Sequence, residues 1–238
     1  MRSYLLRAVA CAVTVALGFS APPRASAQLV SRTITHLKQD DPRAFDPETG
    51  NPNMNCTPTA MIMCLDYWAR NGYAGLVSNA NLNNLYSEVR AIAVQGNCFK
   101  KGMSWRSTEE ALKKWLEKHH TQNPLKVTPH EKDRSRDDIF NEFSPAGNAV
   151  GQDVIWLGFL IDGDFEAQWP GHTMTLEWIN KSDEKAVPGE GNSGRSVGFA
   201  DPATGAKHEF TMSKSGDLYE NGKRVYKGGG FFTVCPGA

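Results

Sequence analysis

The chain has 238 residues, with 26 basic and 26 acidic side chains, 40% hydrophobic residues and five cysteines. Balanced charge supplies no cationic face for a phosphate backbone, which excludes nucleic-acid binding as the main activity. No segment reaches the roughly 20 uninterrupted apolar residues of a membrane-spanning helix, and the length suits one domain with its own core.

Met1 to Ala27 reads as an export signal: Arg2 and Arg7 precede an apolar run from Ala8 to Phe19, and Ala25-Ser26-Ala27 is a small-residue cleavage site. Its removal takes three arginines and no acids, leaving 23 basic against 26 acidic residues in 28–238. The expected location is secreted or periplasmic, with no membrane attachment after cleavage. Cys11 lies early in the apolar run with more apolar residues behind it, a poor setting for a lipid anchor.

Thr33 to Leu37 alternates weakly and predicts a short strand, followed by an irregular Asp/Pro/Gly/Asn-rich loop from Asp40 to Asn55. Thr57 to Ala69 is almost entirely apolar up to the stop signal Asn71-Gly72, the pattern of a helix buried on nearly all sides. A second helix is expected over Leu82 to Ala93 behind Asn81 as cap. A third is expected behind a capping box of Ser107 and Glu110, and a short fourth from Ser135 carrying Ile139, Phe140 and Phe143. The charged stretch Thr121 to Arg134 reads as a surface loop, as does the Gly/Ser/Glu-rich stretch Pro188 to Gly194.

The second half changes period. Val154 to Leu160 is a continuous apolar run of strand length. His172 to Ile179 alternates, with His172, Met174, Leu176 and Trp178 assigned to one face and Thr173, Thr175 and Glu177 to the other. Further strands fit Ser196 to Ala200, Lys207 to Met212 and Gly230 to Val234, with turns at Ala203-Thr204-Gly205-Ala206 and Glu220-Asn221-Gly222-Lys223. Helices followed by strands define an α+β domain over 28–238.

Four cysteines remain after export: Cys56, Cys64, Cys98 and Cys235. Cys56 and Cys64 share one predicted helix, which separates them by roughly 12 Å, beyond the reach of a disulfide. The preferred arrangement is a Cys98–Cys235 bridge with Cys64 buried and Cys56 free. The alternative is two bridges that consume Cys56.

Cys56 stands at the mouth of the apolar helix in Asn55-Cys56-Thr57-Pro58-Thr59-Ala60. Unpaired first-turn amides and the helix dipole favour a thiolate there, the condition for a nucleophile. A thiolate needs a histidine that accepts and returns a proton. His119 and His120 end a charged helix, His130 lies in the expected polar loop, His208 sits between Lys207 and Glu209 on what reads as a solvated strand, and His36 precedes the helix. His172, behind Gly171 at the opening of an apolar strand, is the best candidate, and Asp201, ending a strand before Pro202, suits the orienting carboxylate. A core histidine and an ordinary Asp-Pro turn are the plain alternatives.

Three stretches together resemble the papain-like cysteine peptidases, above all the double-glycine (bacteriocin-leader) peptidases and their stand-alone exported relatives. They are Cys56-Thr57-Pro58-Thr59-Ala60 with Met63, Leu65, Asp66, Tyr67 and Trp68; Gly171-His172; and Asp201-Pro202. The resemblance implies a papain-like α+β fold and a peptide or protein substrate cleaved by Cys56, His172 and Asp201 through a thioester. It also implies an upstream glutamine in the oxyanion hole, for which Gln39 is the matching position and Asn51, Asn53 and Asn55 are alternatives. Family members usually carry glycine after the nucleophile, where this chain has Thr57. Transglutaminase-like acyl transfer and an inactive binding or effector module on the same fold are the competing readings. No cofactor is implied, and oligomeric state leaves no signal. Asp162-Gly163-Asp164 with Glu166 is explained by a loop more simply than by calcium, Gly191-Asn192-Ser193-Gly194 lacks the strand–serine–helix setting of a serine nucleophile, and Trp169-Pro170 either lines a cleft or packs on the core.

Overall fold

The computed structural model describes residues 29–44, 51, 54–78, 81–96, 102–119, 125–131, 135–144, 153–160 and 171–236. Within it the apolar run after Asn55 forms helix α1 (Cys56–Arg70), with Ala60, Met61, Ile62, Met63, Cys64 and Leu65 all fully buried. Such a helix has no solvent face and serves as the centre around which the rest packs. Its one buried acid, Asp66, accepts from Thr35 Oγ1 at 2.6 Å and from Arg70 Nε at 2.8 Å, so the charge is paired rather than stranded.

Asn81 caps α2 (Leu82–Gln95) through its side-chain oxygen, as the sequence predicts. Helix α3 (Trp105–Lys118) starts one turn earlier than expected: Ser104 Oγ accepts the amide of Ser107, so Ser107 is the third helical residue and not the cap. Trp105, stacked on Phe232 at 4.2 Å between ring centroids, draws that extra turn onto the core. Helix α4 (Arg136–Phe143) has a complete capping box between Ser135 and Asp138 and buries Ile139, Phe140 and Phe143.

The described residues contribute nine strands, all paired antiparallel: β1 (Leu29–Ser31), β2 (Leu125–Glu131), β3 (Asp153–Leu160), β4 (Gly171–Asn180), β5 (Lys185–Val187), β6 (Gly191–Asp201), β7 (Ala206–Met212), β8 (Leu218–Glu220) and β9 (Lys223–Pro236). Their order is β1-β4-β3-β9-β8-β7-β6-β5, and an added β4–β6 pairing closes six of them into a ring. Four helices with this antiparallel sheet make the domain α+β.

Period-2 alternation sorts side chains between two cores. Inside the ring lie Trp156, Met174, Leu176, Ile179, Val197, Phe199, Phe210, Met212, Leu218 and Phe231, with α4 contributing Ile139, Phe140 and Phe143. Their neighbours Ile155, Ala200, Phe232 and Val234 face the other way, into the core shared with α1, α2 and α3. Removing any one of the large buried groups costs about 2–5 kcal/mol.

Several expectations are corrected. The first strand is Leu29–Ser31, paired with Asn180 to Trp178, whereas 33–37 runs outside any ladder. The stretch expected as a surface loop contains β2, whose Leu125 and Val127 are buried against β9. Strand β6 begins at Gly191, inside the expected Gly-rich loop, because Gly194 lacks the Cβ that would collide with Thr211 and Val187. A register shift between Leu176 and Trp178 moves Ile179, not Trp178, to the side of Met174 and Leu176, and the Trp178 indole fills the space beside Gly198. Cys56 and Cys235 are free thiols, so the preferred Cys98–Cys235 bridge is not formed: Cys235 lies near the end of β9 opposite Lys126 in the β2 ladder. Cys98, Cys11, the signal stretch, Asn53, His120, the Asp162 to Glu166 group and Trp169-Pro170 lie outside the described residues. No helix among the described residues is long and apolar enough to cross a membrane.

Candidate active site

Cys56 is the first residue of α1, and no side chain caps that helix or places an acid in its first turn. The positive end of the helix therefore stays available to the cysteine itself. Two hydrogen bonds fasten this end of α1 to β4: Thr57 Oγ1 lies 2.8 Å from Thr173 Oγ1, and Thr175 Oγ1 donates to the Ala60 carbonyl at 2.8 Å. Thr173 and Thr175 face α1 because they alternate with the ring-facing Met174 and Leu176.

This fastening sets Cys56 beside His172, the second residue of β4, whose ring lowers the pKa of the thiol. Strand β6 pairs with β4 up to Thr175 opposite Ala200, and the next residue, Asp201, reaches diagonally back to His172. The Nε2–H of His172 donates to Asp201 Oδ1 at 2.7 Å, which leaves Nδ1 for the sulfur. Asp201 Oδ1 also accepts the Ala203 amide at 2.8 Å, an Asx-type turn that Pro202 helps to set. All three residues are buried, with 9%, 7% and 3% of Cys56, His172 and Asp201 exposed. The Tyr226 ring stacks against the imidazole at 5.7 Å between centroids.

Burial alone raises the Cys56 thiol, but the hydrogen bond and charge of His172, with the Thr173 amide and Thr57 hydroxyl, outweigh it and bring the pKa below that of a free thiol. His172 moves the opposite way. Burial lowers it, yet its bonds to Asp201 and Cys56 prevail and carry it up to about 9. Asp201, raised by burial, is pulled below the usual carboxylate range mainly by His172. These directions are those of a thiolate–imidazolium pair supported by a carboxylate.

Gln39 is buried, its side-chain Oε1 has no hydrogen-bond partner, and its backbone N–H donates to the Pro202 carbonyl at 2.8 Å. The same segment is held by Lys38 N–H to Tyr86 Oη at 3.0 Å and by Leu37 N–H to Met63 Sδ at 3.4 Å. Gln39 therefore lies against the loop that carries Asp201. Of the alternatives, Asn55 spends its side-chain amide on the Ala44 carbonyl at 3.1 Å and Asn51 is exposed.

The other histidines are elsewhere, with one exception. His36 pairs with Glu177, His119 stacks on Trp115, and His130 stacks on Phe231 from β2 rather than from a loop. His208 contacts the other oxygen of Asp201, with Nδ1 at 3.2 Å from Oδ2, and its Nε2 lies 2.9 Å from Glu220 Oε1. Sequence reasoning missed this residue because its charged neighbours describe a wet strand. Its period-2 relation to Phe210, a ring-facing residue whose ring lies tilted against its own at 4.2 Å between centroids, was the available signal. Tyr226 was likewise unmarked, lying in a stretch of β9 that reads as polar.

A cavity of about 300 Å³ lined by Arg136, Asp137, Phe140, Asn141, Lys181 and Arg195 lies at the other end of β4. Lys181 is nine residues from His172, roughly 30 Å along a strand, so this cavity has no part in the cysteine's chemistry. Among the described residues no group of histidine, cysteine and acidic side chains is arranged to hold a metal ion.

No family model matches the chain, and no curated protein matches it. Among solved structures it is similar to the peptidase domain of Streptococcus ComA, a bi-functional ABC transporter involved in a quorum-sensing pathway. The two share 14% identity over 84% of this chain and 97% of that one, with a TM-score of 0.39.

Proposed function

We propose that the chain is an exported thiol peptidase with Cys56 as nucleophile, His172 as general base and acid, and Asp201 as the orienting carboxylate. The observation that carries the reading is the 2.7 Å bond from His172 Nε2 to Asp201, made by the same ring that lowers the pKa of the Cys56 thiol at the mouth of α1. A sulfur, a base and its orienting group in series are the parts of nucleophilic acyl transfer.

In the proposed cycle the Cys56 thiolate attacks the scissile carbonyl, forming the S–C bond and placing the electron pair on oxygen. The Cys56 backbone amide and the Gln39 side-chain amide receive that oxyanion. Collapse breaks the C–N bond, and His172 Nδ1 gives its proton to the departing amine, leaving a thioester. Water, deprotonated by His172, then attacks the thioester. The acid product leaves, and the thiolate and imidazolium are restored.

Export rests on the basic, apolar and small-residue segments of 1–27, and implies a secreted or periplasmic site of action on peptides or proteins. Incubating the chain with a mixed peptide library and reading products by mass spectrometry tests the activity. Cleavage by the wild type that drops on the order of 10⁴-fold or more in Cys56→Ala supports the reading, and equal turnover by the two rejects it.

A further inference from the structure

Beyond Asp201, the series of polar contacts continues through successive strands. Asp201 on β6 meets His208 on β7, and His208 meets Glu220 on β8. Both ring nitrogens of His208 thus face carboxylates. A neutral imidazole has a single N–H, so only the imidazolium donates to both.

The two oxygens of Asp201 differ in what holds them. Oδ1 takes His172 and the Ala203 amide, whereas Oδ2 has the His208 ring beside it. A carboxylate fixed through one oxygen turns about that contact, and the His172 bond turns with it. A second donor on Oδ2 stops the rotation.

We propose that His208, held between Asp201 and Glu220, is a positioning residue that locks the Asp201 carboxylate in line with His172, so that five residues act as one series from Cys56 to Glu220. This inference rests on the peptidase reading of Cys56 and His172. Burial lowers the His208 pKa, but bonds to Glu220 and then Asp201 outweigh it and raise it above the ordinary histidine value. The charged groups facing His208 are those two carboxylates. Tyr226, across from Phe210, feels both of them, and the flanking Lys207 and Glu209 pair with each other at 3.4 Å.

The test is the rate at which iodoacetamide alkylates Cys56, read at that residue by mass spectrometry between pH 5.5 and 8.5, which needs no peptide substrate. His208→Leu is expected to slow alkylation about 3- to 10-fold near neutral pH, the loss of one charge-assisted hydrogen bond. His208→Gln, whose amide still donates to Oδ2, recovers most of the rate. Glu220→Gln, at a half-exposed site that folding tolerates, matches the wild type at pH 6 and falls behind as pH rises, because His208 then loses its proton earlier. Fast wild-type alkylation with all three variants tracking it at every pH overturns the positioning role alone. Slow wild-type alkylation at neutral pH overturns the peptidase reading, and this inference with it.

Discussion

Thr57 Oγ1 and Thr173 Oγ1 stand 2.8 Å apart, and this contact sets the height of the Cys56 sulfur against the His172 ring. Each hydroxyl belongs to the residue immediately after one member of the pair, so helix and strand are tied within one residue of the chemistry. The Thr57 hydroxyl also lies 3.9 Å from the sulfur. Thr57 thus has a structural task.

Thr57→Val keeps the shape and removes the tie. The Thr173 hydroxyl, 3% exposed as a residue, is then left without that partner, at a cost of about 1–3 kcal/mol. The expected outcome is a lower melting temperature and a kcat reduced about tenfold with little change in KM, since near-attack geometry is lost rather than substrate contact. Unchanged kcat in a variant that is measurably less stable means the tie is structural only.

The pH profile follows from the two opposed shifts. The reactive ion pair forms as pH climbs through the lowered Cys56 pKa and ends where His172 gives up its proton, at about 9. A plot of kcat/KM is expected to rise below neutrality, stay level, and fall around pH 9. A profile that only begins to rise at the pKa of a free thiol, near 8.5, contradicts the pair.

Asp201→Asn replaces the group that contributes most to raising His172. The alkaline limb should move down from about 9, and kcat should fall on the order of 10²-fold or more as the ring loses its fixed tautomer. Stability responds with a definite sign. The folded carboxyl titrates below its unfolded value of about 3.9, so its contribution is present above that pH and is lost as pH falls through the folded pKa. Acid unfolding should therefore be shallower in Asp201→Asn than in the wild type, read by circular dichroism between pH 2 and 5.

Helices were legible wherever a cap and an apolar run coincide, as at Asn81 and Ser135, and Cys56, His172 and Asp201 were candidates from signals at element ends together with the resemblance of three stretches. What escaped depends on partners distant in sequence. Strand β2 carries Lys126, Thr128, Pro129, His130 and Glu131 beside its two aliphatic residues Leu125 and Val127, and only its pairing with β9 makes it a strand. Strands β5 and β8 have three residues each, too short for a period to show. Closure of the ring through β4 and β6 is a global property that brings Asp201 to His172, while His208 meets Asp201 across the β6–β7 ladder. The expected Cys98–Cys235 bridge came from compartment and elimination, which carry no geometry.

Gln39 offers the most direct test of oxyanion stabilisation. Its segment is anchored three times, to Tyr86, Met63 and Pro202, which is more restraint than an unengaged loop residue needs. Its Oε1, an acceptor, is buried without a partner, which costs stability, and its side-chain Nε2 is the group that can donate to an oxyanion. Gln39→Ala should lower kcat on the order of 10²- to 10³-fold with KM nearly unchanged, because an oxyanion donor acts in the transition state and not in substrate binding. Gln39→Glu should do no better, since a carboxylate repels the developing charge. Alkylation of Cys56 should proceed at the wild-type rate in both variants, as that reaction builds no oxyanion. A slowed alkylation places Gln39 among the supports of the thiolate instead, and an unchanged kcat in Gln39→Ala moves the oxyanion site to another donor.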